Sequence, residues 1–192
     1  MDRERRQERD RRADRDQPAD RERAEQDRRG LDQVRDQAKV KQVAGQWRKM
    51  EQEHPEWSHA FGRHVDITER QLDKRAVTGE LPNGKREDAP DHATKWRSAD
   101  AMVVAADGLA RSDEYRRRLA RAEARGETTF ALTKPLPEVL GPGWRAGVYG
   151  RTATPHGTAA SQWNDDSVAK CIWRKQSDGR WHRLTCSPQP GP

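Results

Sequence analysis

His59, Arg63, His64 and Arg75 fall within a window of 17 residues. An imidazole takes up or gives up a proton near neutral pH. A guanidinium stays charged and makes paired hydrogen bonds to phosphate oxygens, but it does not part with its proton. Together they could move a proton beside a bound anion. Motifs for other chemistries are absent. The chain has no HExxH, no GxSxG, no P-loop and no dinucleotide-binding glycine pattern. Two cysteines and no clustered histidine ligands leave no standard zinc site, so we expect no metal and no cofactor.

These side chains need elements to position them. Thr68-Glu69-Arg70-Gln71 is a capping-box pattern that opens a helix carrying Leu72 and Val77. His64 lies just before that helix and Arg75 two turns inside it. Ser98 precedes a helical run through Met102, Val103, Ala106 and Leu109. Ser112 precedes another through Tyr115, Leu119 and Ala122, with Gly126 as its stop. After Gly126 the pattern turns strand-like, at Thr128–Thr133 and Val148–Thr152, with a proline- and glycine-rich loop between them and a polar loop over 153–166.

The best hairpin signal is Val168–Lys175 and Arg180–Cys186 around Ser177-Asp178-Gly179. With Asp178-Gly179 as a two-residue turn, Cys171 faces Cys186, Trp173 faces Leu184 and Lys175 faces His182. The opposite face pairs Lys170 with Ser187, Ile172 with Thr185 and Arg174 with Arg183. The first face is the apolar one, to be covered by helices. The second is basic and hydroxyl-bearing, a surface for an anion. Its pairings depend on loop length, because one extra residue shifts every partner. This register puts the cysteines at a hydrogen-bonded pair, where strands lie further apart. Both a disulfide and two buried free thiols fit the pattern.

The run His59-x-x-x-Arg63-His64-Val65-x-x-Thr68-x-x-x-Leu72-x-x-Arg75 resembles the opening of the bacterial RNase A-like toxin domains, which end contact-dependent inhibition and other polymorphic toxins. The helix from Ala93-Thr94 to Ala110, the next helix to Ala122 and the ending Arg183-Leu184-Thr185-Cys186-Ser187-Pro188 resemble that family in order and spacing. The family commonly closes with Leu-Thr-Ala-Tyr-Pro, and here Cys186 and Ser187 stand for the Ala and the Tyr. The resemblance implies a metal-independent endoribonuclease that cleaves RNA through the 2′-hydroxyl to a cyclic phosphate. It implies His64, Arg75, Thr185 and Ser187 as catalytic residues. It also implies an exported toxin acting in a target-cell cytoplasm, with a cognate acidic immunity protein as partner. His59, Arg63, Lys170, Arg174 and Arg183 are then candidate RNA-binding residues. Trp57, Trp96, Trp144 and Trp163 are candidate stacking surfaces for bases, the alternative being that most tryptophans fill the core, and Trp163, in the polar loop, is the best of them. DNA lacks the 2′-hydroxyl this route needs. The alternatives are a catalytically inactive RNA-binding or effector module on the same fold, and an interaction protein built around the charged N-terminus.

Composition sets the frame. Leu, Ile, Val and Phe together number 23 in 192 residues, a proportion that invites disorder somewhere in the chain. Residues 1–29 have no large apolar residue after Met1, and their charges almost cancel, so we expect a disordered or extended-helical tail. Val40, Val43, Trp47 and Met50 recur at helical spacing before Pro55. The expected organisation is a charged tail over 1–50 and a toxin-like domain over 51–192. The expected fold is α+β, with N-terminal helices packed on a C-terminal antiparallel sheet. The net charge is +6, and residues 140–192 carry seven basic against three acidic side chains, which favours a polyanion such as RNA. No apolar run is long enough for a membrane span, and no signal peptide is visible.

Overall fold

The structure, a computed structural model, describes residues 36–192. Expectations for the tract upstream, Leu31 and Val34 included, lie outside the described residues. The described residues fall into two units, divided after Val40. The first, residues 36–40, is helical. All that follows concerns the second.

Helical residues 41–53 form α1. Then come α2 (Ala60–His64), α3 (Glu69–Thr78), β1 (His92–Trp96), α4 (Ala99–Ala110), α5 (Asp113–Arg125), β2 (Thr129–Pro135), α6 (Leu136–Leu140), a 3₁₀ turn (Trp144–Gly147), β3 (Val148–Thr154), β4 (Gly157–Ala160), β5 (Val168–Lys175) and β6 (Trp181–Gln189). The class is α+β. The sheet is divided in two, however: antiparallel β1-β3-β4 and antiparallel β2-β5-β6. Among the described residues no helix is long and apolar enough to cross a membrane.

The helix starts follow their caps. Thr68 accepts from the Gln71 amide, and the Gln71 side chain returns to the Thr68 amide, completing the capping box. Ser98 and Ser112 cap α4 and α5, and Gly126 closes α5 in the left-handed conformation. Three segments depart from expectation. His92–Trp96 is a strand, where the resemblance implied helix from Ala93. Leu136–Leu140 forms a short helix within the expected loop, because Pro137, in its first turn, has a φ suited to a helix and no amide to leave unpaired. Gly157–Ala160 pairs with β3 inside the other expected loop.

The β5–β6 hairpin shows how one residue of loop length propagates. The loop has three residues, Ser177-Asp178-Gly179. The Gly179 amide donates to the Gln176 carbonyl (2.9 Å), and the Gln176 amide donates to the Arg180 carbonyl (2.8 Å). Gly179 takes a φ of 81°, which such a loop requires of its last residue. Lys175 therefore faces Trp181, Arg174 faces His182 and Trp173 faces Arg183, each one position off the two-residue expectation. A bulge between Ile172 and Trp173 absorbs the difference. Beyond it Ile172–Thr185, Cys171–Cys186 and Lys170–Ser187 pair as expected. Thr185 and Ser187 thus keep their predicted face. Arg183 is carried to the opposite one, with Trp173.

Cys171 and Cys186 form a disulfide. Their Cα atoms lie 4.0 Å apart, the close spacing of a non-hydrogen-bonded pair rather than of the hydrogen-bonded pair expected. No ladder joins the two sheets. Side chains on β1 reach β6 instead: Thr94 Oγ1 donates to the Pro188 carbonyl (2.6 Å) and Trp96 Nε1 to the Cys186 carbonyl (2.8 Å).

Helices cover the sheets with α4 as the most buried, through Met102, Val103, Ala105, Ala106 and Leu109. On the far side α3 sets Leu72 and Ala76 against Ile67 and Ala93. α1 joins this core upstream of the boundary expected at 50/51. Trp47 is buried edge-on to Phe61 (centroids 5.7 Å apart), donates from Nε1 to Ser58 Oγ (3.0 Å) and carries the Arg183 guanidinium 4.6 Å above its ring. The exposed ion pairs of α1 add little beside this. Trp47→Ala should cost about 3–5 kcal/mol of unfolding free energy. Urea titration tests this, and a loss below about 1 kcal/mol would place α1 outside the cooperative unit.

Candidate active site

A five-residue helix does not hold itself together in water, so the placement of α2 needs an outside support. α1 supplies it. The Glu51 carboxylate accepts from the Phe61 and Gly62 amides (both 2.9 Å), two of the unpaired donors at the start of α2. Its negative charge also suits the positive end of a helix. Ser58 Oγ donates to the same carboxylate (3.1 Å). The His59 amide donates to the Leu184 carbonyl (3.0 Å), which ties the entry of α2 to β6. Phe61 fills the core beneath. His64, the last residue of α2, is thereby pressed against β1.

The His64 ring is almost wholly buried (6 % exposed), with Nδ1 3.3 Å from the Thr94 carbonyl oxygen. A carbonyl only accepts, so Nδ1 carries the proton and Nε2 is the basic nitrogen. Burial pushes the imidazole down to about 3, and Arg75 pushes the same way. The Thr94 hydrogen bond opposes them, while His59 and Arg63 add smaller depressions. His64 is therefore neutral at physiological pH, a group that accepts a proton first.

Arg75 reaches the Arg63 carbonyl with Nη1 at 3.5 Å, and among the described residues it has no carboxylate partner. Arg63 is paired with Glu87 (3.0 Å). Burial and the neighbouring Arg63 draw Arg75 below the ordinary arginine value. An unpaired, half-desolvated guanidinium beside a neutral imidazole is an arrangement completed by an anion.

His64 and Arg75 open onto a cleft of about 320 Å³ whose walls also include His92, Thr94, Ser187 and Gln189. Three of the four residues expected to be catalytic thus share one cavity. The fourth, Thr185, stands next to it on β6 but is buried, and its Oγ1 has no hydrogen-bond partner. It does not line the cleft.

The expected RNA-binding residues divide. Lys170 lies across from Ser187 on β5. Arg174 is exposed across from His182 and close enough to His59 to depress its pKa. His59 and Arg63 line a second cleft of about 630 Å³, between α1, α2 and the loop at Leu81–Lys85. Burial, reinforced by Arg63, brings His59 down to about 4. Arg183 leaves the basic face entirely, because the bulge turns it toward Trp47 and Asp107 (3.9 Å). Trp163 packs edge-on against Trp144 (6.5 Å) and lines neither cleft. His92, Thr94 and Gln189 belong to the site although the sequence analysis did not select them. His92 stands in no motif, and its part in the site follows from β1 being a strand beside β6.

Comparison with family models, with curated proteins and with solved structures finds no match.

The two depressed histidines make stability depend on pH. Their folded values lie below the ordinary 6.5, so between about pH 6.5 and 3 the unfolded chain binds more protons than the folded one. Stability from these groups is complete above that window and is lost as pH falls through it. Urea midpoints at pH 7.5, 6 and 5 should fall in that order, and His64→Gln should flatten the trend. An unchanged slope in that variant would locate the dependence elsewhere.

Proposed function

We propose that this chain is a metal-independent endoribonuclease of the bacterial RNase A-like toxin type. The observation that carries the reading is the convergence of a neutral imidazole (His64), an unpaired guanidinium (Arg75) and a hydroxyl (Ser187) on one cleft. The resemblance of the His59–Arg75 motif to that family supports it independently.

In this reading a phosphodiester of RNA sits against Arg75. His64 Nε2 takes the proton of the ribose 2′-hydroxyl. The 2′-oxygen bonds to phosphorus, and the bond from phosphorus to the 5′-oxygen breaks, leaving a 2′,3′-cyclic phosphate and a 5′-hydroxyl. Arg75 gives hydrogen bonds to the non-bridging oxygens as charge accumulates on them, so the route requires no Lewis acid. Ser187 adds a donor on the other wall. The bound phosphate also offsets the repulsion that Arg75 exerts on His64, and so raises the imidazole toward the range where it is an effective base. Lys170 and Arg174 extend the basic face along the RNA backbone.

The same reading carries the wider expectations of that toxin class: export, action in the cytoplasm of a target cell, and an acidic immunity protein that covers the basic face. Charge complementarity favours such a partner.

The test uses the full chain, total RNA and excess chelator. The products should carry 2′,3′-cyclic phosphate ends, and His64→Ala should reduce kcat/KM by roughly 100- to 10,000-fold, the usual contribution of a positioned base. Salt-sensitive RNA binding without any product would instead identify a binding module on this fold. Undiminished cleavage by His64→Ala would remove this imidazole from the chemistry.

A further inference from the structure

Cleavage as described leaves one proton unassigned: the departing 5′-oxygen needs one, and His64, neutral at the start, has none to give on Nε2. Arg75 does not donate its proton at neutral pH. Thr94 is committed, its hydroxyl donating to the Pro188 carbonyl at 2.6 Å. Ser187 is an aliphatic alcohol, a poor acid. Two proton-transfer side chains remain on the wall, Asp91 and His92, and of these the imidazole is the one whose ring a hydrogen bond orients.

We propose that His92, on the rim of the same cleft, is the general acid that protonates the leaving 5′-oxygen. The assignment rests on the ribonuclease reading above. Four observations favour it. His92 lines the cleft together with His64, Arg75 and Ser187. It is exposed, so water can reload it with a proton. Its ring is oriented: Nδ1 lies 2.8 Å from Thr152 Oγ1, and that hydroxyl is itself held by Ser161 Oγ at 3.0 Å. Gly150 makes this possible, because a Cβ there would stand 2.7 Å from Ser161 Oγ and push the serine away. Finally, both imidazoles spend Nδ1 on the scaffold, His64 on the Thr94 carbonyl and His92 on Thr152, so each has Nε2 left for substrate.

The spacing suits the reaction. His64 is anchored at Thr94, and His92 is two residues earlier on the same strand, about 7 Å along β1. The attacking 2′-oxygen and the leaving 5′-oxygen lie on opposite sides of phosphorus, so a base and an acid must flank it rather than share a side. In the step, protonated His92 gives its Nε2 proton to the 5′-oxygen as the phosphorus–oxygen bond breaks. His92 ends neutral and His64 ends as the imidazolium. Exchange with solvent resets both.

A leaving-group comparison tests this. A dinucleoside monophosphate expels an alkoxide and needs an acid. A uridine 3′-(4-nitrophenyl phosphate) expels a stable phenolate and does not. His92→Gln, which keeps a polar partner for Thr152, should lower kcat/KM on the dinucleotide by about 100-fold or more while staying within about threefold of wild type on the aryl ester. His64→Gln should lose both substrates. Thermal unfolding of His92→Gln should match wild type, since the ring is exposed. An equal loss on both substrates, or no loss on the dinucleotide, overturns the assignment of His92 alone. A wild-type chain that cleaves neither substrate overturns the ribonuclease reading and His92 with it.

Discussion

Two hydrogen bonds from side chains to backbone hold this molecule's halves in register. β1 and β6 belong to different sheets and share no ladder, yet Thr94 and Trp96 donate across the gap to the Pro188 and Cys186 carbonyls. Each satisfies a backbone acceptor that would otherwise be buried unpaired, at a cost of about 1–3 kcal/mol. The cleft exists only because of this junction. Its one wall belongs to β1, its other to the end of β6, and α2 and α3 deliver His64 and Arg75 into the angle between them. The same Thr94 supplies both anchors: its hydroxyl fixes β6, and its carbonyl fixes His64.

The electrostatics follow from that seating. Five cationic or potentially cationic side chains, His59, Arg63, His64, Arg75 and Arg174, stand near enough to influence one another, and Glu87 is the carboxylate among them. Burial first, and the crowding of positive charge second, keep the two imidazoles unprotonated. Glu87 is engaged by Arg63, which leaves Arg75 as the guanidinium open to an incoming anion. The desolvation that depresses His64 also makes the ring sensitive to any charge placed beside it.

Much of this was legible in the sequence, and the reasons are local. Thr68-Glu69-Arg70-Gln71, Ser98 and Ser112 announce their helices because capping is decided within four residues. The far half of the β5–β6 pairing agrees with the two-residue-turn expectation because the bulge gives back the residue that the longer loop took. The near half does not. Asp178-Gly179 suits both a two- and a three-residue loop, and the choice, with the compensating bulge, turned Arg183 from the expected anion-facing surface onto Trp47. His-Ala-Thr-Lys-Trp gives no clear strand signal in isolation. It becomes β1 because Trp96 and Thr94 have acceptors on β6 and Ala93 packs beneath α3, all partners distant in the chain. His92 was overlooked for the same reason. The support that Glu51 gives to α2 spans ten residues and has no short-range signature either.

The seating of His64 has a bearing on self-association. β1 is the outer strand of its sheet, and outer strands offer unpaired backbone groups to any passing chain. At Thr94 that offer is closed on one side by an imidazole and on the other by the terminal segment of β6. The ring therefore covers a backbone acceptor that strand addition would otherwise use. Cutting it back to alanine would leave the Thr94 carbonyl without its donor, and glutamine, whose amide nitrogen can still donate, is the gentler replacement.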